Sequence, residues 1–586
     1  MVDAITLEVM RNALQSIAEE MGVTLIRTAL SPNIKDRKDC STAIYTRDGR
    51  LVAQAEHIPL HLGLMQSVVK EVLKAYPVEN LEPGDALIIN DPYISGSHLP
   101  DICIFMPVFY QGELIAVMAN LAHHVDVGGR TPGSTPTNAV SIFEEGLRIP
   151  PVKIMKKGLF DQELMKVLAH NVRTGFEFNG DIRAQIAANS VGAKRLVELV
   201  QKYGIQKIFT YMEELIGYSE RSLREEIKKL EEGTWVFTDY LEGDGITSHP
   251  ITIKAAVTVR EDSIKVDFTG SSPQTRGPVN STRAVTLACV YFAVKAVLNP
   301  NIPSNEGISL PLEVITPPGT IVNPEFPSPV SGANINTAQR IADVILGCFA
   351  EFLPHKVPAA SAGTMGLFTI GGVDPRSGEF YSYVETYGGG QGANFMGDGM
   401  DGVHTNMTNT LNTPSEVIEI SYPLQVISYT LRPDTEGAGK YRGGMGLCRA
   451  VKVKGHTAQV TLSSERGELR PWGMDGGLSG DNSQNILIDS KGIKKRTQTK
   501  LTTEVEEDTV IIYNTPGGGG YGSPLKRDPH EVARDVRRAL VSMNRARDLY
   551  GVVIDPVTCE VDQEQTEAVR KNKMDIDKGT ANGMPQ

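Results

Sequence analysis

Cysteine is scarce in this chain of 586 residues, and it never occurs in pairs at metal-ligand spacing. That absence excludes a cysteine-based zinc finger and is typical of a reducing compartment. We therefore expect a cytoplasmic protein with reduced thiols. The six cysteines lie at positions 40, 103, 289, 348, 448 and 559.

Long apolar runs are absent as well. The longest, at 284–298, is interrupted by Lys295 and is too short to cross the hydrocarbon core of a bilayer. The first residues include Asp3, Glu8 and Arg11, where a secretion signal needs an apolar run. We expect neither a membrane partner nor a secretion signal.

Clustered positive charge and nucleotide-binding motifs are also missing. Lysine and arginine number 58 against 70 acidic residues, which argues against nucleic acid because phosphate binding needs clustered cations. No P-loop motif occurs in the sequence. The run at 517–522 satisfies GxGxxG, but Pro524 follows it where a dinucleotide site requires a helix. A glycine-rich packing turn is the favoured interpretation of this run.

Histidine and aspartate side chains gather around one predicted β-hairpin. Two apolar runs, 102–110 and 113–121, are joined by two residues, and acidic and imidazole groups flank their open end. Imidazole and carboxylate are ligands that zinc, manganese and iron take in proteins. The pattern therefore predicts a divalent metal site at the working end of an enzyme. The flanking residues are His98, Asp101, His123, His124 and Asp126.

Hairpin geometry brings these groups together without choosing between the two adjacent histidines. If the turn has two residues, opposed residues have numbers that sum to 223, and His123 lies opposite Pro100. On ideal strands, His98 then shares a face with His123. Asp101 shares a face with His124 instead. Pro100 breaks the strand and can rotate either group, so both histidines stay open.

Structural interpretations accompany each of these motifs. His98 alone would cap a turn, and the adjacent histidines would end a strand. His57 and His61 are spaced like helical ligands, but Pro59 between them favours a structural or substrate-lining role. The glycine-rich stretch at 388–402 is either a loop that a substrate approaches closely or a plain surface loop.

The length exceeds what one hydrophobic core supports, so several domains are expected. Residue periodicity predicts a mixed α+β fold with helices at 6–30, within 161–232, and at 283–298, 335–353 and 529–547. The predicted division is an N-terminal α/β metal-binding catalytic region at 1–232, a mixed α/β middle domain at 233–415, a β-rich domain at 416–525, and a C-terminal helix with a flexible tail at 526–586.

Several motifs, taken in order along nearly the whole chain, resemble one protein family. The chain resembles the B subunit of ATP-dependent hydantoinases, a family that includes the matching half of 5-oxoprolinase and related lactamases. It resembles a large subunit of acetone and acetophenone carboxylases more distantly. The matching segments are SPNIKDRKDCS at 31–41, LVAQAEHIPLHLG at 51–63, NDPY at 90–93, LPD at 99–101, AHHVD at 122–126, YRGG at 441–444 and PGGGGYG at 516–522.

The resemblance implies half of an active centre in this chain. ATP and its Mg²⁺ would bind a separate A subunit of the actin-like ATPase type, in a heteromer expected to be (αβ)₂. The substrate would be a small cyclic amide such as a hydantoin, oxoproline or a lactam. His124 or Asp126 would orient a water molecule or relay its proton. The implied metal ligands, for zinc or alternatively manganese or iron, are Asp39, His98, Asp101 and His123.

Two other functions stay open on the sequence. One is a subunit of an ATP-dependent ketone carboxylase, although this chain is shorter than we expect for such a subunit. The other is a non-enzymatic assembly subunit that its metal stabilises. If the cyclic-amide interpretation holds, the chain alone should hydrolyse neither ATP nor a lactam.

Overall fold

Four β-sheets organise the chain, and the widest of them carries the predicted hairpin. The computed structural model describes residues 3–55 and 57–581. The first elements are α1 (Ala4–Thr28), α2 (Pro32–Lys35), β1 (Cys40–Thr46), β2 (Leu51–Gln54), α3 (Pro59–Ala75), β3 (Ala86–Ile89), α4 (Pro92–Ser95), β4 (Asp101–Tyr110), β5 (Glu113–His123), β6 (Val152–Lys156), β7 (Leu159–Phe160), α5 (Gln162–His170), α6 (Gly175–Tyr203) and α7 (Ile205–Ile227). The seven-stranded sheet has the order β2-β1-β5-β4-β3-β6-β7.

Helices cover both faces of this sheet. α1 and α6 pack on one face, where a buried cluster joins Met21 to Ile44 and Met118. α3 packs on the other face, where a second cluster joins Val68 to Val117. Because side chains alternate along a strand, odd-numbered residues of β5 from 117 onward face α3, and even-numbered ones face α6.

The remaining chain forms three smaller sheets and a group of C-terminal helices. The elements are β8 (Gly233–Leu241), β9 (Ile251–Arg260), β10 (Ser263–Asp267), α8 (Arg283–Leu298), β11 (Leu312–Ile315), α9 (Ala338–Ala350), β12 (Leu367–Val373), β13 (Phe380–Thr386), α10 (Ser415–Ser421), β14 (Leu424–Leu431), β15 (Leu447–Val453), β16 (Ala458–Ser463), β17 (Gln484–Ile488), β18 (Lys494–Arg496), β19 (Lys500–Val505), β20 (Val510–Asn514), α11 (Pro529–Arg537), α12 (Met543–Asp548) and α13 (Gln563–Ala581). The mixed α+β fold that the sequence predicts is confirmed.

The smaller sheets connect distant parts of the chain. The second sheet has the order β11-β10-β9-β8, and α8 and α9 join its hydrophobic cluster. The third has the order β13-β12-β16-β19, and the fourth has the order β14-β15-β20-β17-β18. The third sheet therefore takes two strands from before the predicted border at 415/416 and two strands from after it. The domain borders as a whole stay a prediction.

The glycine run near the C-terminus packs backbone against backbone with other glycine-rich segments. Gly518 N–H donates to the carbonyl oxygen of Gly444 at 2.9 Å, and Gly437 N–H donates to that of Gly518 at 2.7 Å. A Cβ atom on Gly518 would stand 2.1 Å from the carbonyl oxygen of Gln391, so only glycine fits there. These contacts show a packing role for the run. We call the assembly the glycine stack; its segments are 388–393, 397–402, 435–446, 472–480 and 515–522.

The C-terminal region differs from the predicted single helix over 529–547. It forms α11 and α12, because Ala539 adopts a positive φ of 55° between them. α13 then occupies much of the region where a flexible tail is predicted, and residues 582–586 of that tail lie outside the described residues. Within 3–55 and 57–581, no helix combines the length and the apolar character needed to cross a membrane.

Candidate metal centre

Two imidazoles and a carboxylate converge at the open end of the β4–β5 hairpin. His98 lies in the loop before β4, Asp101 begins β4, and His123 ends β5. The two Nε2 atoms of His98 and His123 are 3.1 Å apart, and His98 Nδ1 lies 3.0 Å from Asp101 Oδ2. One ligand atom from each of the three residues lies within 4.8 Å of the others. This buried trio is a candidate His/Asp metal site.

A β-bulge decides which of the adjacent histidines joins the trio. The two-residue turn is as predicted, but Ile115 has no partner opposite it, and beyond it Asp101 pairs with His123. The predicted register, which placed His123 opposite Pro100, is therefore wrong by one residue. Directly opposed residues share a face, so Asp101 and His123 both point toward α3. Because of the extra residue, Asp101 lies on the same face of the sheet as His123 and not on the face of His124.

Two asparagines hold the trio from opposite sides. Asn33 Nδ2 donates to the backbone oxygen of His123 at 2.7 Å and lies 2.9 Å from His123 Nδ1. Asn334 Nδ2 lies 3.0 Å from His98 Nδ1 and donates to Asp101 Oδ2 at 3.2 Å. Sequence reasoning missed both. Asn33 lies within a matched motif, whereas Asn334 comes from a segment more than 200 residues away with no local signal.

One carboxylate oxygen of the trio is unsatisfied, which tests whether the site suits a cation. Asp101 Oδ1 is buried and has no hydrogen-bond partner among residues 3–55 and 57–581. His61 Nε2 lies 3.9 Å from this oxygen. A buried carboxylate oxygen without a donor is costly unless a cation or water meets it. The spacing of the two imidazole nitrogens is also close to the roughly 3.3 Å expected for two nitrogen ligands of a tetrahedral ion. The residues therefore fit a divalent ion.

The electrostatics favour an ionised carboxylate beside a neutral imidazole. Burial opposes the ionisation of Asp101, but His98, followed by His61 and His123, holds its pKa below the usual range. Burial also disfavours the charged form of His98, yet Asp101 raises the pKa of His98 above its ordinary value. Burial and the charge of His98 lower the pKa of His123 to about 3. A neutral His123 ring has one nitrogen lone pair that can bind an ion.

Asp39 reaches the same cavity without joining the trio. Its backbone oxygen accepts a hydrogen bond from His123 N–H at 3.0 Å, which continues the pairing of β1 with β5. Its side chain lines the cavity, and burial raises the pKa of Asp39. Asp39 lies outside the three-residue set whose ligand atoms approach within 4.8 Å. Its role as a fourth ligand stays a prediction.

His124 and Asp126 do not line this cavity. His124 points to the other face of the sheet, where its Nε2 lies 3.0 Å from Gln185 Oε1 and its ring packs on Phe178. Asp126 accepts hydrogen bonds from backbone N–H groups at positions 128, 133 and 173, and forms an ion pair with Arg173 at 3.0 Å. These contacts suit structural roles, because each side chain is engaged away from the trio.

The cavity beside the trio is polar at one end and apolar along its walls. It has a volume of about 40 Å³, and a water molecule needs roughly 10–15 Å³ of such space, so it has room for an ion and one or two waters. His61 enters it from α3, and its structural or substrate-lining role stays a prediction. Its other lining residues include Arg37, Ile58, Leu60, Asn334, Ile335, Met365, Leu367, Val384, Thr386, Thr408 and Thr410.

With the fold and the site described, comparison with known proteins assigns the family. The family model described as hydantoinase B/oxoprolinase matches residues 3–524. The chain belongs to the hydantoinase B/oxoprolinase family. This family member is 36% identical to 5-oxoprolinase of Dictyostelium discoideum, covering 89% of the chain but only 40% of that relative's length.

Solved structures extend the comparison. The chain of this family member is similar to the ATP-dependent caprolactamase from Pseudomonas jessenii, with a TM-score of 0.89 and 31% identity over 97% of this chain and 100% of that one. It also resembles a nucleotide-free acetone carboxylase, with a TM-score of 0.92 and 21% identity over 100% of this chain and 84% of that one. At that identity the second likeness shows the fold alone. The family resemblance read from the motifs is confirmed.

Proposed function

We propose that this chain is the metal-binding B-type subunit of an ATP-dependent cyclic amidase that opens a hydantoin, oxoproline or lactam ring. The convergence of His98, Asp101 and His123 in a buried cavity carries the proposal. The relatives support the substrate class, because one is named a 5-oxoprolinase and another an ATP-dependent caprolactamase. The balanced reaction consumes a cyclic amide, ATP and two water molecules, and it yields the ring-opened amino acid, ADP and phosphate.

The trio, with Asp39 as a fourth ligand, would hold a divalent ion. Zinc suits two imidazoles and carboxylates best, and manganese or iron are the alternatives. When bound, such an ion polarises a substrate oxygen or lowers the pKa of a coordinated water. Asn33 and Asn334 contact the ligand rings as described above, which would help to fix the orientation of the rings.

His61 replaces His124 as the residue proposed to handle a proton. Its Nε2 lies 3.9 Å from Asp101 Oδ1, and its Nδ1 lies 3.2 Å from the hydroxyl oxygen of Ser41. The ring lines the cavity in which a reacting water must sit. A neutral imidazole there can accept a proton from that water, which the engaged His124 cannot do from the other face of the sheet.

ATP is proposed to bind a separate A-type ATPase subunit. The sequence lacks a nucleotide-binding motif, and the glycine run that satisfies GxGxxG lies inside the glycine stack. The chain aligns with the whole of the caprolactamase chain but with only 40% of the longer 5-oxoprolinase. These lengths suit a division in which one polypeptide carries the metal half and another carries the ATP half. An (αβ)₂ assembly in the cytoplasm is the expected form.

The test combines metal analysis with activity of the reconstituted complex. The chain alone should hydrolyse neither ATP nor a lactam, and adding the A-type partner should give ATP-dependent ring opening. His98→Ala should weaken metal binding by at least roughly 10- to 100-fold, since even loss of a residue supporting a ligand costs that much. It should also abolish ring opening. His124→Ala is the matched control: it is equally buried but faces away, and should retain the metal.

Other outcomes identify the rival functions. Ring opening by the isolated chain would contradict the division of labour. Fixation of bicarbonate onto a ketone, without ring opening, would assign the complex to the carboxylases. If His98→Ala lost the metal and some thermal stability but kept full turnover in the complex, the metal would serve assembly alone.

A further inference from the structure

Arg37 is a buried cation that forms no ion pair within the described residues, although its charge lowers the pKa of the nearby Asp39 against the larger effect of burial. Its side chain is 1% exposed, and it lines the cavity that holds the trio. In the described part of the chain, no carboxylate oxygen lies within 4.0 Å of its guanidinium nitrogens. The other large, fully buried arginines each have one: Arg340 with Asp239 at 3.0 Å, Arg466 with Asp343 at 3.1 Å, and Arg449 with Glu385 at 3.9 Å.

Neutral acceptors satisfy only part of this guanidinium. Nη1 donates to the carbonyl oxygen of Val384 at 3.0 Å and to Asn33 Oδ1, and Nη2 donates to Thr386 Oγ1 at 2.8 Å. Nε is buried and has no acceptor within the described residues, as is also true of Nε in Arg340, Arg449 and Arg466, so the missing carboxylate is what distinguishes Arg37. A buried charge is costly unless it is paired and hydrogen-bonded. An anion in the cavity would provide both the countercharge and the missing acceptor.

Hydroxyl groups line the cavity beside Arg37. Thr386 Oγ1 and Thr410 Oγ1 are 3.0 Å apart, and Thr408 lines the same space. His404 Nε2 lies 3.4 Å from Thr410 Oγ1, while its buried Nδ1 has no partner in the described chain. Together with Nε of Arg37, these groups supply at least three donors. A phosphoryl group has three acceptor oxygens, whereas a carboxylate has two.

We propose that the Arg37 pocket, formed by Arg37, Thr386, Thr408 and Thr410, binds the phosphoryl oxyanion that ATP leaves on the activated substrate. This inference rests on the proposed function. A divalent ion and Arg37, set against ionised Asp39 and Asp101, would leave the cavity with one excess positive charge, which would suit an anion.

The first test measures binding of inorganic phosphate to the full, zinc-loaded chain by thermal unfolding. Phosphate should raise the Tm of the wild-type chain, and acetate at the same concentration should not. Arg37→Gln should weaken phosphate binding about 10- to 100-fold, as loss of a charged hydrogen bond does. Arg37→Lys should restore part of the shift, because it keeps the charge but loses the planar fork of donors.

A threonine pair elsewhere provides a matched control. Thr410→Val should weaken phosphate binding about tenfold through the loss of one hydroxyl donor. Thr461→Val removes a hydroxyl from the Thr461–Thr502 pair, which is 3.1 Å apart in the third sheet, and should leave phosphate binding unchanged. The zinc content of every variant is measured, because Arg37 also contacts Asn33. An equal shift in wild type and Arg37→Gln, or an equal shift with acetate, would overturn the pocket.

The second test separates activated substrate from free phosphate. In the assembled complex, Arg37→Gln should raise the ratio of ADP formed to ring-opened product above one, since the activated substrate escapes after ATP has been cleaved. If the ratio stays at one and only inhibition by added phosphate weakens, the pocket binds product phosphate and the assignment to the activated substrate fails.

The two tests also distinguish this inference from the proposed function. Phosphate binding is measured on the chain alone, so an Arg37-dependent shift can persist even if no cyclic amide is opened, which would overturn the proposed function only. Conversely, Arg37→Gln could open the ring with one ADP formed per product and show the same phosphate-induced Tm shift as the wild type. That result would contradict the Arg37 pocket but would leave the proposed amidase function standing.

Discussion

Glu145 is a buried carboxyl that joins two segments that are distant in the sequence, one of which leads to Asn334 of the candidate metal site. It accepts hydrogen bonds from Val330 N–H and Ser331 N–H, each at 2.8 Å, just before the segment that carries Asn334. Its other oxygen is buried without a hydrogen-bond partner in the described residues. Burial raises the pKa of Glu145 to about 7, against an ordinary value of 4.5.

This shift predicts a pH-dependent stability. The folded chain holds the Glu145 proton up to about pH 7, whereas the unfolded chain releases it near 4.5. The stabilising effect of that proton is therefore complete below pH 4.5 and is lost as the pH rises to about 7. The loss amounts to about 3 kcal/mol of unfolding free energy. Glu145→Gln should remove this dependence, measured by urea unfolding between pH 5 and 7.5.

An exposed glutamate gives the control for this measurement. The Glu163 side chain is 84% exposed, so Glu163→Gln should leave the pH profile as it is in the wild-type chain. If the unfolding free energy fell equally with pH in the wild type and in Glu145→Gln, the Glu145 carboxyl would ionise alike in the folded and the unfolded chain, and the prediction would be wrong. The amide in Glu145→Gln keeps an acceptor for the two N–H groups, so the variant should fold.

Some residues of the candidate site could be predicted from the sequence. His98, Asp101 and the adjacent histidines were found because strand pairing is local and places neighbours of a hairpin together. Asn334 was not, because it reaches the trio through tertiary packing of a segment with no periodicity that points to the site. Arg37 lies within a motif that matches the family. Its proposed role depends on the distance of carboxylates from its guanidinium, and a sequence does not give such distances.

At the scale of elements, the bulge at Ile115 limited the prediction. The two strands and the two-residue turn of the β4–β5 hairpin were predicted correctly from alternation and length. An unpaired residue leaves no mark in an apolar run, because every position of such a run is equally hydrophobic. A shift of one residue exchanges the two faces of a strand, so the choice between His123 and His124 required the structure.

The close backbone packing of the glycine stack predicts how a substitution within it changes stability. A Cβ atom on Gly518 would stand 2.1 Å from the backbone oxygen of Gln391, which cannot move without breaking the stack. Gly518→Ala should therefore lower the free energy of unfolding by at least about 1–3 kcal/mol, as overpacking does. Thermal and urea unfolding measure the change.

Gly397 is the matched control, since it lies in the stack but a Cβ there would meet no atom within 4 Å. Gly397→Ala should be neutral or stabilising by up to about 1 kcal/mol, because alanine restricts the unfolded chain. A similar loss in both variants would mean that the cost arises from backbone freedom and not from the close approach to Gln391.

At the scale of the whole molecule, the candidate site draws on parts that are far apart in the sequence. The trio comes from one hairpin, while Arg37 comes from near α2 and the threonines come from β13 and the 408–410 segment. The third sheet likewise joins strands from both sides of a predicted border. Composition and periodicity predicted the mixed fold, but they carry no information on which distant strands pair.

If the trio holds a metal as proposed, removal of that metal should destabilise the chain. An ion that binds only the folded state adds about 2.7 kcal/mol to stability at a hundredfold excess over its dissociation constant. A chelator should therefore lower the Tm of the wild-type chain, and added zinc should restore it. His98→Ala should show no response to either. An identical response in His98→Ala would place the stabilising ion elsewhere.

Because the trio lies on one short hairpin, its three residues are synthesised well before the residues that surround Arg37. All three residues are present once residue 123 has been added, whereas the hydrogen bonds that join Arg37 to Thr386 and Thr386 to Thr410 are complete only after residue 410. At about 5–20 residues per second, the two events are roughly 15–60 s apart on the ribosome. The nascent chain therefore holds a complete His/Asp ligand set long before it holds the pocket that surrounds it.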